Sequence, residues 1–176
     1  TEAEYLALEG VADTRHEFIQ GDILGMAGAE LEHNQVVQNI RFSFGLQLWG
    51  RPCRVLGSDQ RVLVESSREY FYPDVLVTCL EPRLVEPAPR SLLNPQVIIE
   101  VLSPTTEAKG RGTKWLAYRT IPTLTDYLSV STSARHIEHH RRKSEDWLVQ
   151  MLDEGDIKVA HDLTLSFADV YDQTNI

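Results

Sequence analysis

The chain has 176 residues, 42% of them hydrophobic, which suits one ordinary domain able to bury roughly two thirds of its unfolded surface. Its formal charge of -9 excludes indiscriminate binding to nucleic-acid phosphates, an affinity that comes mainly from Lys and Arg displacing counterions. No apolar run approaches the roughly 20 residues that cross a bilayer, and TEAEYLALEG lacks the basic and apolar regions of a signal peptide.

Glu2 to Glu9 is expected to form a short helix, and RHEFIQGDILGM reads as two strands joined at Gln20-Gly21. From His33 to Trp49, the residues Val36, Val37, Ile40, Phe44 and Leu48 recur at helical spacing, with Gln35, Gln38, Asn39 and Gln47 on a polar side. CRVLGSDQRVLVE and EYFYPDVLVTC follow as strands with a turn near Ser66-Ser67-Arg68. LEPRLVEPAPRSLLNP carries four prolines and is expected to be mostly irregular. NPQVIIEVLSPTTEAKGRGTK begins as a buried strand, Val97 to Leu102, and continues as a polar turn leading into a helix.

RHIEHHRRK, Arg135 to Lys143, is the densest basic segment. Alternation puts His136, Glu138 and His140 on one face and Ile137 and His139 on the other, the pattern of a solvated strand. A phosphate-contacting ridge or a histidine metal site is the competing reading, and it lacks carboxylate or cysteine partners. Cys53 and Cys79 sit in neither a ligand motif nor a framework of pairs, which fits the reducing cytoplasm. No composition break, repeat or low-complexity tract divides the chain, so residues 1–176 read as a single domain.

Within the strand Val97 to Leu102, Glu100 shares a face with Ile98 and Leu102. An ionised carboxylate there costs several kcal/mol unless a counter-charge, a metal or hydrogen bonds compensate it. Asp74 follows Pro73 at the mouth of VLVTC. If that strand runs antiparallel to Val97 to Leu102, its beginning lies beside the other's end and two carboxylates meet. Like charges at close range need compensation, most commonly from a divalent cation or a lysine. Mg²⁺ suits one or two carboxylates plus substrate phosphate oxygens.

EYLALEG, HEFIQGDI, AGAELEHN, RPCRVLGSD, YPDVLV, LLNPQVIIEVLSPTTEA, the helix KWLAYRTIPTLTDYLSV and the closing LTLSFADVY come in an order that covers nearly the whole chain. In that ordered set the sequence resembles the Uma-type family of restriction-endonuclease-like proteins, within the PD-(D/E)XK nuclease superfamily. The resemblance implies an α/β (α+β) fold: a mixed central sheet flanked by helices, with N-terminal and C-terminal strand extensions. It also implies a divalent-metal-dependent endonuclease that hydrolyses phosphodiester bonds in nucleic acid, DNA foremost, with Mg²⁺ as cofactor and Mn²⁺ able to substitute. A homodimer is the family-level expectation for cutting two strands.

By the same resemblance Asp74 and Glu100 are metal ligands and Glu17 is an additional acid, which widens the ligand set or orients a metal-bound water. Its alternative is a hairpin carboxylate paired with Arg15 or His16. Leu102 stands where the superfamily's simple pattern has a lysine, so Lys114 on the following helix is the replacement. Lys114 then stabilises charge building at the scissile phosphate; otherwise it is a surface lysine lying along the helix. His33 and Asn34 match a family pair that positions a phosphate or caps the long helix. The Ser103 hydroxyl either bonds Glu100 or a bound water, or starts a turn at Pro104. Asp59 is a reserve ligand. The chief departure is Gly110, where relatives commonly carry an aspartate able to hold Lys114 or cap its helix. The alternative function is a catalytically degenerate nuclease fold serving as a binding or interaction module, with Asp74, Glu100 and Lys114 as a buried ion network. Hydrolysis of a smaller phosphodiester would use the same site.

Overall fold

The computed structural model describes residues 1–26, 28–103 and 110–176. Ala27 of AGAELEHN and the polar turn from position 104 to 109, with Pro104, lie outside the described residues. Helix α1 (Glu2–Glu9) is closed at its start by a capping box: the Thr1 hydroxyl accepts from the Glu4 amide, and the Glu4 carboxylate accepts in return. Strands β1 (His16–Ile19) and β2 (Asp22–Gly25) form the expected hairpin. Gln20 (φ 52) and Gly21 (φ 92) both take the left-handed conformation that a two-residue hairpin loop demands.

Helix α2 (Leu31–Gln47) buries Val36, Ile40 and Phe44 at a spacing of four residues. Each of those side chains contributes about 1.5–3 kcal/mol by leaving water. The next two segments each break into two strands that go to different sheets. CRVLGSDQRVLVE yields β3 (Arg54–Gly57) and β4 (Val62–Val64), and EYFYPDVLVTC yields β5 (Glu69–Phe71) and β6 (Val75–Thr78). Pro73, which has no N–H for a ladder, stands at the second break. The proline-rich stretch is irregular except for the short β7 (Leu84–Val85) and β8 (Ser91–Leu92).

Strand β9 spans Val97–Leu102, as the apolar run implied. A π-helical turn, Gly110–Lys114, runs into α3 (Trp115–Tyr118). The expected helix KWLAYRTIPTLTDYLSV therefore needs correction: helix ends at Tyr118 and β10 (Asp126–Ser131) takes over. Pro122 disfavours helical backbone at Ile121 before it, and DYLSVS is buried along its whole length between two strands. The Arg142 guanidinium clamps this crossover by donating to the carbonyls of Arg119, Ile121 and Leu124. The chain closes with β11 (Ile137–Lys143), β12 (Asp146–Leu152), β13 (Asp156–Lys158), β14 (Thr164–Ser166) and α4 (Phe167–Val170).

The central sheet has the order β12-β11-β10-β9-β6-β3 and is mixed, because β9 and β10 run parallel while the other neighbours are antiparallel. A second sheet, β2-β1-β5-β4-β8-β7, holds the N-terminal hairpin. Successive residues of β9 face opposite sides. Val97, Ile99 and Val101 pack with α2 and the C-terminal elements, whereas Ile98 packs with Phe71, Tyr118 and Tyr127. Glu100 belongs to this second side, between the central sheet and α3.

Two readings of the sequence change here. RHIEHHRRK is not a solvated strand: β11 lies between β10 and β12, and both His139 and His140 are buried. His139 meets the buried Asp126 at 2.7 Å, while His140 bonds Glu138 and its ring lies 4.1 Å from that of Trp115. Among the described residues no group of three His, Cys, Asp or Glu side chains is arranged to hold a metal. Cys53 and Cys79 are joined as a disulfide. They lie one step beyond the Arg54–Thr78 pair of the β3–β6 ladder, so strand register brings together residues 26 apart in sequence. That pairing removes the cysteine argument for a reducing compartment. Among the described residues no helix is long and apolar enough to cross a membrane.

Candidate active site

The antiparallel register of β6 and β9 pairs Val75 with Ile99, so Asp74 stands opposite Glu100 one step further along. The Asp74 carboxylate accepts the Val101 amide at 2.8 Å, which fixes it at the strand mouth. Glu100 is buried and accepts the Tyr118 hydroxyl at 2.8 Å. Between Glu100 and the buried Glu17 of β1 lies the Lys114 ammonium, 2.8 Å from Glu17 and 3.2 Å from both Glu100 oxygens. Glu17 also accepts the Tyr72 amide at 3.1 Å. Three strands and the turn before α3 thus deliver three carboxylates and one lysine to one place.

The hairpin alternative for Glu17 is excluded by its neighbours' own partners. Arg15 pairs with the exposed Asp59, and His16 lies 3.2 Å from Glu9. Asp59, the reserve ligand, is therefore turned outward. Lys114 does not lie along the surface; two carboxylates hold it without any side chain at Gly110. His33 and Asn34 fall inside α2 rather than at its cap, which is Glu30. His33 turns inward, with Nε2 3.3 Å from Asp74, whereas the exposed Asn34 donates back to the Ala29 carbonyl at 3.2 Å. Ser103 follows β9 directly and is half-buried.

Tyr118 belongs to the site as well, although the sequence analysis assigns it no role. Its spacing of four from Lys114, which places two side chains on one side of a helix, was the available signal. Its ring packs against those of Phe71 and Tyr127, so the hydroxyl that orients Glu100 is itself held by the core.

The electrostatics follow from burying an excess of acid. Loss of water pushes the Glu100 carboxyl up to about 7; Lys114 opposes this, the Asp74 and Glu17 charges add to it, and the Tyr118 hydrogen bond opposes it again. Burial alone would lower Lys114, but the Glu100 and Glu17 charges outweigh it and hold the ammonium protonated well above its usual range. Burial likewise pulls His33 down, and the hydrogen bond and charge of Asp74 overcome it, leaving the imidazole raised. Among the described residues the buried Nδ1 of His33 has no partner.

Three carboxylates against one ammonium and one imidazole form a set of hard oxygen donors short of positive charge. That composition fits a divalent cation of the Mg²⁺ kind, which takes one or two carboxylates and keeps waters. Asp74 and Glu100 are the donors that could hold such an ion, and Glu17 shares the Lys114 ammonium with Glu100.

Over residues 2–168 the chain matches the family model Uma2, described as "Putative restriction endonuclease". It is 36% identical over 153 residues to the uncharacterised protein sll1609 of Synechocystis sp., covering 86% of each chain. To the uncharacterised protein slr1290 of the same organism it is 34% identical over 166 residues, covering 94% of this chain and 86% of that one. The fold matches a crystal structure titled as "a putative nuclease belonging to DUF820" from Anabaena variabilis, with a TM-score of 0.77, 18% identity and 97% coverage of each chain. The order of motifs and the matched span agree, and the chain belongs to the Uma2 family of restriction-endonuclease-like proteins.

Proposed function

We propose that this chain is a divalent-metal-dependent nuclease that hydrolyses phosphodiester bonds in nucleic acid, with DNA as substrate and Mg²⁺, replaceable by Mn²⁺, as cofactor. The observation that carries this reading is the cluster of Glu17, Asp74, Glu100 and Lys114 around the paired ends of β6 and β9, with Glu17 and Glu100 buried and Asp74 and Lys114 half-buried. Family membership supports it.

Asp74 and Glu100 would hold the ion. When bound, it supplies an acidified water and neutralises charge on the phosphate oxygens. Lys114 keeps its ammonium charged and places it, in a site partly screened from water, where negative charge builds on the phosphate. Glu17 orients Lys114 through the 2.8 Å contact. Tyr118 fixes the Glu100 carboxylate, and His33 backs Asp74. Asn34, beside His33 on α2, and Ser103, directly after β9, are candidates for positioning substrate.

The second reading, a nuclease fold kept as a binding module, draws on one feature: Lys114 closes an ion network with Glu17 and Glu100 inside the fold. One experiment separates the two. Calorimetric Mn²⁺ titration of wild type, Asp74→Ala and Glu100→Ala is run beside cleavage of supercoiled DNA with and without EDTA. Binding and EDTA-sensitive cleavage that disappear in both variants support the nuclease. Absence of binding and cleavage in all three proteins supports the module.

A further inference from the structure

We propose that the outer face of α2 is the contact surface of a homodimer, in which two copies pack α2 against α2 in antiparallel fashion about a two-fold axis. The inference is independent of the chemistry proposed above. Along this helix Val36, Ile40 and Phe44 are buried, yet the opposite side mixes Gln35 and Gln38 with large apolar residues. Leu31, Phe42, Leu46 and Trp49 share that side and are 76%, 68%, 61% and 88% exposed. Large apolar side chains concentrated on the water side of an amphipathic helix mark an interaction surface rather than scattered exposure.

The stripe has relief as well as area. Gly45 sits among the large side chains, and a Cβ there would meet nothing within 4 Å, so a shallow gap lies beside Phe42 and Trp49. The distance from Leu31 to Trp49 is about 27 Å along the helix at 1.5 Å per residue. With the axis midway between them, Trp49 of one copy meets Leu31 of the other, Phe42 meets Gln38, and Gly45 meets Gln35. Large groups then oppose smaller or flexible ones along the contact.

Charge selects a second copy as the occupant. The exposed Glu30 stands at the start of α2, and just beyond its end is the exposed Arg51, whose guanidinium also donates to the His161 carbonyl at 3.0 Å and keeps its charge at the surface. Antiparallel packing about a two-fold sets Glu30 of each copy toward Arg51 of the other, and it opposes the two helix dipoles favourably. The four apolar side chains expose on the order of 500 Å² per chain, so two copies bury about 1,000 Å² before the polar rim is added, the floor for a specific interface.

Sedimentation equilibrium at tens of micromolar tests this. Wild type should be a dimer, and Phe42→Glu and Trp49→Glu, both on exposed positions, should associate at least tenfold more weakly with unchanged circular dichroism. Glu30→Arg and Arg51→Glu should each weaken the dimer, and together restore it. Without any variant, Trp49 fluorescence should shift to the blue as wild-type concentration rises through the association range. A wild-type monomer at these concentrations, or a dimer that survives the Phe42→Glu/Trp49→Glu double substitution, would overturn the proposal. Failure of the charge swap to restore association would overturn the antiparallel arrangement.

Discussion

Replacing Glu100 by Gln is expected to stabilise the metal-free protein at alkaline pH. Burial raises the Glu100 carboxyl from 4.5 to about 7, even with Lys114 and the Tyr118 hydroxyl favouring its charged form. A group whose folded value lies above its unfolded one contributes stability that is complete below 4.5 and is lost as the pH rises through about 7. At about 1.4 kcal/mol per unit, ionising Glu100 leaves the fold weaker by on the order of 3 kcal/mol than when the carboxyl keeps its proton. Glutamine keeps an oxygen for the Tyr118 hydroxyl and cannot ionise, while Lys114 retains Glu17 at 2.8 Å. In urea denaturation with EDTA, Glu100→Gln should exceed wild type by about 1–3 kcal/mol near pH 8 and nearly match it near pH 5. A variant less stable than wild type at the higher pH would refute the reasoning. The Lys114–Glu100 contact would then contribute more than burial costs, as a structural ion network requires.

Lys114→Met should bind Mn²⁺ more tightly than wild type by calorimetry while losing at least about 100-fold in cleavage rate, because the ammonium lies between Glu17 and Glu100 and competes for their oxygens; weaker Mn²⁺ binding would show that the lysine organises the carboxylates instead. Tyr118→Phe removes a buried hydrogen bond to a carboxylate and should cost about 1.5–3 kcal/mol in urea denaturation, with unchanged stability arguing against that bond. Cys53→Ser with Cys79→Ser should lower stability by about 3 kcal/mol through lost restraint on a chain segment of 26 residues, and a reductant should reproduce the loss in wild type but not in the double variant. Burial lowers His140, its largest influence, so the stability this histidine contributes is present above 6.5 and is lost as the pH falls through its folded value. Trp115 fluorescence should change across that acid window, and His140→Gln should abolish the change.

The candidate site was legible in outline because its signals are local. A carboxylate inside the apolar run Val97 to Leu102, and another beside Pro73 at a strand mouth, are anomalies that periodicity alone exposes, and the ordered motifs attached a role to each. Lys114 and Glu17 required the resemblance, since no spacing links positions 17, 100 and 114. Tyr118 escaped because a tyrosine on a buried helical face looks like packing until its hydroxyl is seen to have a partner.

Local patterning by itself determined the span of α1, the β1–β2 hairpin, most of α2 and the whole of β9, where capping, turn chemistry and apolar period all act within a few residues. Only the tertiary structure decided the rest. It split two long apolar segments between two sheets, turned the end of an expected helix into β10, and buried a basic strand by giving it neighbours on both sides. It also brought Cys53 to Cys79 and Lys114 to Glu17. The physical reason is the same in each case: strand partners and the contacts of long side chains depend on residues far away in the chain, and no local preference records them.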